Sequence, residues 1–100
     1  MRRGTTPTHT FTLPFDCSEI TKLHIAYAQD DEVLVEKTLS DCECDGNVLT
    51  VTLAEEETLL FDCKKRCAEI QLRVARGVKK LASDIFKVPI DRILKEGCLE

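Results

Sequence analysis

Cys44-Asp45-Gly46-Asn47-Val48-Leu49-Thr50-Val51-Thr52-Leu53 is the stretch that decides the reading of this chain. Gly-Asn is a turn dipeptide, and the residues after it alternate strictly: Leu49, Val51 and Leu53 on one side, Thr50 and Thr52 on the other. A period of two is what a strand with one buried face requires, because successive side chains point to opposite faces. The period recurs in Phe11-Thr12-Leu13-Pro14-Phe15, in Leu23-His24-Ile25-Ala26-Tyr27 and in Ile70-Gln71-Leu72-Arg73-Val74. Such runs, separated by turn-rich gaps, predict an all-β fold, an immunoglobulin-like antiparallel β-sandwich of about seven strands.

Working outward, residues 1–7 read as a flexible N-terminal lead-in, 8–90 as the sandwich domain and 91–100 as a tail with room for one helical turn. Strands are expected over 8–15, 20–28, 33–39, 48–53, 68–75 and 81–90, with a short, weak strand or irregular crossover at 40–44. Gln29-Asp30-Asp31-Glu32 is the tip of a hairpin, Ala54 to Thr58 one helical turn, and Leu59, Leu60 and Phe61 are expected to tuck into the core beneath it. Pro14 and Pro89 lack a backbone donor, which assigns their runs to sheet edges. The expected core is Phe11, Leu13, Leu23, Ile25, Val51, Leu53, Phe61, Ile70, Leu72, Val74 and Phe86.

One competing pattern runs through the second half. Cys63, Cys67, Ile70, Val74, Val78, Leu81 and Ile85 recur every three or four residues, as on an amphipathic helix. The strand reading is preferred because Gly77 interrupts such a helix and a strand there completes the sandwich.

One hundred residues make a single domain with one modest core. The net charge is −4 with acids and bases interspersed, and Lys64-Lys65-Arg66 sits beside Asp62 and Glu69, so no nucleic-acid footprint stands out. No apolar run reaches the length of a membrane span. Arg2-Arg3 is followed by Thr5-Thr6-Pro7-Thr8-His9-Thr10 instead of the apolar core of a secretion signal, so the chain is expected in the cytoplasm on synthesis.

Six cysteines are many for this length. A reducing cytosol argues against an obligatory disulfide framework, which leaves a metal site or thiols packed as small apolar residues. Cys42-x-Cys44 and Cys63-x3-Cys67 are the zinc candidates, but their spacing departs from the usual C-x2-C pairs. No metal, no cofactor and no disulfide needed for folding are therefore expected. Cys17, in a turn, and Cys98, near the end, are expected to be exposed. Glu55-Glu56-Glu57 reads as a solvated helical turn with acids suitably placed at its N-terminus. His9 and His24 have no nucleophile partner in a known motif, and there is no Gly-rich phosphate loop, so no catalytic residue and no enzyme are expected.

Across nearly its whole length the chain resembles small uncharacterised proteins of phages and prophages of Gram-positive gut bacteria. The resemblance is carried by Arg3-Gly4-Thr5-Thr6-Pro7-Thr8, Asp41-Cys42 with Asp45-Gly46-Asn47, and Glu57-Thr58-Leu59-Leu60-Phe61. It continues through Glu69-Ile70-Gln71-Leu72-Arg73-Val74, Ala82-Ser83-Asp84-Ile85 and Arg92-Ile93-Leu94-Lys95-Glu96-Gly97. In strand layout it is also similar to the immunoglobulin-like N-terminal module of phage baseplate upper proteins. The resemblance implies a phage structural or tail-associated accessory protein, in the virion if structural. It would act by contact with particle subunits or with itself; the sheet edges marked by Pro14 and Pro89 are where either a homo-oligomer through sheet edges or docking to another subunit is expected. The alternative is a phage-encoded cytosolic regulator or inhibitor that binds a host protein.

Overall fold

The computed structural model describes residues 1–62, 64, 67–83 and 85–91. Its elements are β1 (Thr8–Thr12), β2 (Lys22–Gln29), β3 (Glu32–Thr38), β4 (Cys42–Asp45), β5 (Val48–Thr52), the single helical turn α1 (Glu55–Thr58), β6 (Cys67–Arg76), β7 (Lys79–Ala82) and β8 (Phe86–Pro89). Short 3-10 turns at Cys17–Glu19 and Leu39–Asp41 lead into β2 and β4. Two antiparallel sheets result, one ordered β1-β5-β4 and the other β3-β2-β6-β7, with β8 also paired to β6.

The all-β sandwich is as the alternation predicts. In the immunoglobulin constant arrangement the second strand shares a sheet with the first, fourth and fifth. Here β2 instead lies between β3 and β6 in the other sheet.

Local chemistry explains two of the hairpin turns. The β2–β3 hairpin closes through Asp30 and Asp31, both at positive φ (49° and 64°). A two-residue turn whose twist matches the strands needs that conformation at both positions, and aspartate tolerates it better than most residues. The β4–β5 hairpin turns through Gly46 (φ 60°) and Asn47, as Gly-Asn signals. The Asn47 amide donates to the Leu13 carbonyl at 3.0 Å, and the Leu13 N–H donates back to the Asn47 carbonyl at 2.8 Å. That exchange ends β1 at Thr12, short of the expected Phe15.

Inward-facing positions of the two central strands alternate as expected: Leu23, Ile25 and Tyr27 on β2, and Ala68, Ile70, Leu72 and Val74 on β6, all buried. Leu49, Val51 and Leu53 oppose them from the other sheet, and Leu13, Ile20, Val35, Phe61 and Ile90 complete the core. The helical pattern from Cys63 to Ile85 is overruled, since 67–76 is one continuous strand. Pairing with β2 along seven residues secures it and buries its even-numbered face.

Four expectations are corrected. The final run is not one strand but two, β7 ending at Ala82 and β8 beginning at Phe86. Ser83 takes part in that break: its hydroxyl accepts from the Leu72 N–H and its N–H donates to the Leu72 carbonyl. Leu60 is 56 % exposed, because the chain after α1 turns Phe61 inward in its place. Phe86 is 46 % exposed and Phe11 only partly covered. Cys17 is buried, its N–H bonded to the Gly46 carbonyl at 2.8 Å.

Residues 1–7, read as a flexible lead-in, make specific bonds. Arg2 bridges Asp91 in parallel, the Arg3 guanidinium donates to the Leu59 carbonyl at 3.0 Å, and the N–H groups of Gly4 and Thr5 donate to the Thr58 hydroxyl at 2.9 and 3.2 Å. The helical turn expected in the tail lies outside the described residues.

Candidate functional site

Register explains why Phe86 stands half-exposed. It lies opposite Ile70 in the β6–β8 ladder, and Leu81 lies opposite Val74 in the β6–β7 ladder. Directly opposed residues share a face, so both point to the inner side of the sheet. They sit in its outermost strands, however, where little lies over them. Phe11 from β1 reaches across, its ring centroid 6.1 Å from that of Phe86 at an interplanar angle of 42°. Within the described residues β1 pairs only with β5, and β7 and β8 only with β6. The first and last strands thus form one open side of the sandwich, lined by Phe11, Leu81 and Phe86 with exposed Ile85 between the last two strands. Pro89 ends β8 opposite Cys67, while Pro14 falls beyond the end of β1.

The zinc candidates separate. Cys42 and Cys44 lie opposite Val51 and Leu49 and so share the inward face of β4. Cys67 begins β6, at the end where its carbonyl accepts from Gln29. The other end of that ten-residue strand carries Arg76, paired with Glu19 at 2.6 Å beside the Cys17 turn. Cys63 lies outside the described residues, as does Cys98. Among the described residues no three Cys, His, Asp or Glu side chains are arranged to hold a metal ion.

What the fold assembles instead is Cys17 with Cys42 and Cys44, around a cavity of about 390 Å³ also lined by Asp16, Ser18, Leu39 and Gly46. The Cys17 Sγ donates to the Val48 carbonyl at 3.7 Å. Burial first, then the neighbouring Cys44 thiol and the charges of Asp16 and Asp45, push the Cys17 thiol up to about 11. Cys42 is also pushed up to about 11, by burial first and then by Cys44 and Asp41. Spacing alone did not join Cys17 to this pair. The signal lay in Gly46, whose turn brings its carbonyl to the Cys17 N–H.

The histidines also separate. His24 lies 3.5 Å from Glu36. It borders a groove of about 540 Å³ with Leu23, Leu39, Arg73, Val74 and Lys80. His9 turns inward, its Nδ1 2.7 Å from the Tyr27 hydroxyl. Tyr27 is fully buried, and its ring meets Phe61 edge-on with centroids 6.3 Å apart. Burial holds Tyr27 well above the ordinary phenol value. Burial, and secondarily the amino-terminal charge, holds His9 below its usual 6.5.

A lowered histidine value means that the unfolded chain takes up a proton the folded chain resists. Stability is therefore expected to fall as pH drops below 6.5, and to stop falling on this account once the folded His9 also titrates. Urea midpoints at about pH 7 and about pH 5.5 should differ more for the wild type than for His9→Gln, which carries no such proton.

A scan against protein-family models finds no match, and a search of curated proteins finds none either. Among the described residues no helix is long and apolar enough to cross a membrane.

Proposed function

We propose that this chain is a phage structural or tail-associated accessory protein that works by contact and not by catalysis, docking onto a second copy of itself through the side where β1 meets β7 and β8. The observation that carries the docking surface is the apolar row of Phe11, Leu81, Ile85 and Phe86 along strands that have one neighbour each among the described residues. Edge strands offer backbone donors and acceptors to an incoming strand. An apolar row beside such an edge adds water-excluded area to the pairing. The phage setting is supported by the resemblance of the motifs set out above.

Sedimentation at several concentrations is expected to show association, and Phe86→Lys to return the chain to monomer. Because Phe86 is half-exposed already, that variant should keep its fold. Fractionation of induced phage particles is expected to find the chain within them. A strict monomer missing from particles and their assembly intermediates would overturn the reading.

A further inference from the structure

We propose that Cys44 and Cys17 form a dithiol that a low-molecular-weight disulfide converts into an intrachain bridge, fastening the β4–β5 hairpin to the turn that precedes β2. The two thiols come from different elements and line one cavity. The Cys17 turn is held against the hairpin by the bond from its N–H to the Gly46 carbonyl at 2.8 Å, and Cys17 Sγ rests on the Val48 carbonyl at 3.7 Å. Cys44 stands one rung further along that hairpin, opposite Leu49, with its side chain on the face toward Cys17. Both thiols open onto the cavity of about 390 Å³ and Cys44 acts on the Cys17 thiol, whereas the Cys42 Sγ is turned to the Thr38 carbonyl at 3.3 Å. Their accessibility is unequal, since Cys44 is exposed and Cys17 buried.

That inequality fixes the order of events. The Cys44 sulfur, as thiolate, attacks one sulfur of the incoming disulfide; a mixed disulfide forms on Cys44 and one small thiolate leaves, taking up the proton that Cys44 gave to water. The Cys17 thiol then gives its proton to water, and its sulfur attacks the Cys44 sulfur and expels the second small thiolate. Two protein S–H bonds are lost, one S–S bond is gained, and the reagent is reduced to two thiols. Cys42 is the wrong partner for Cys44, because residues two apart on a strand project side by side from a fixed extended backbone. The surroundings also select the reagent. Asp16 and Asp45 both act on Cys17 with their negative charge, which favours a cationic disulfide over an anionic one.

The experiment treats the folded, reduced protein with cystamine and reads intact mass, followed by digestion with a glutamate-specific protease. Cleavage after Glu43 parts Cys42 from Cys44 and makes the assignment unambiguous. The expected product has the Cys17 and Cys44 peptides joined, about 2 Da lighter than the two reduced peptides together, with cysteamine adducts confined to other accessible thiols such as Cys67. Cys17→Ser should stop at the cysteamine adduct on Cys44, and Cys42→Ser should close as the wild type does. Closure with cystamine should outpace closure with oxidised glutathione at low salt, and the gap should shrink at about 1 M salt. The bridged form should melt at least about 5 °C higher, since the bridge closes a long loop. A mixed disulfide that persists on wild-type Cys44, or a bridge that maps to any other pair, would overturn the proposal.

Discussion

Replacing Tyr27 with alanine is expected to cost about 3–5 kcal/mol of folding stability, the range for removing a buried aromatic ring without collapse of the space it leaves. Tyr27 is wholly excluded from solvent and stands between His9, on β1 of the facing sheet, and Phe61, in the segment that follows α1. Tyr27→Phe isolates the hydroxyl. It keeps the ring and leaves His9 Nδ1 without the partner it now has at 2.7 Å, so about 1–2 kcal/mol is expected from it alone. Urea unfolding of the two variants separates the terms. Equal losses would show that the hydroxyl, and not the ring, holds the sheets together here.

Thr58→Val is the second large effect. The side chain keeps its shape and loses one oxygen, yet that oxygen serves several groups. It accepts from the N–H groups of Gly4 and Thr5, and lies within donating reach of the Thr5 carbonyl at 3.1 Å and the Glu55 carbonyl at 2.9 Å. Thr58 is fully buried. Gly4 is half-buried and Thr5 exposed, so water takes over part of each lost bond, and a loss of about 1–3 kcal/mol is expected for the pair. Hydrogen exchange should report it most sharply at the amides of Gly4 and Thr5. Thr58→Ser retains the oxygen and should keep both amides protected while losing about 1 kcal/mol for the missing methyl group.

The paired strands were legible because their pattern is local. Leu49, Val51 and Leu53 alternate with threonines, and a one-residue slip would put all three into water. The ends of elements were less legible, since distant partners set them. Thr12 ends β1 because Asn47 takes hold of Leu13, and the last run breaks because Ser83 bonds across to Leu72. Neither partner is visible within the segment it shapes. Phe86 shows the same limit from another side. It was counted as core, and its place opposite Ile70 does turn it to the inner face, but its burial depends on what lies above the outermost strand, and Phe11 covers it only in part.

The candidate edge was half legible. Prolines drew attention to both terminal runs, and Pro89 does end an edge strand. The meeting of β1 with β8 on one side of the molecule is a matter of how the sheets stack, which no run of residues records. The thiol cluster was less legible still. The even spacing of Cys42 and Cys44 placed them on one face, but Cys17 joins them through a backbone bond to Gly46 and not through any cysteine spacing.

The strand order has a consequence in time. Thr8 meets Thr52 across 44 positions, and Thr21 meets Ala75 across 54. At a synthesis rate of about 5–20 residues per second, β2 therefore waits roughly 3–11 s for the strand that completes its sheet. During that interval its only local companion is β3, and a lone hairpin is marginal in water. Closing such distant pairs also places folding in the slower, millisecond-to-second regime of β-rich domains. The future interior strand thus spends its first seconds as an exposed rim, and whatever shields nascent chains would meet this protein at Leu23, Ile25 and Tyr27 before anything else docks there.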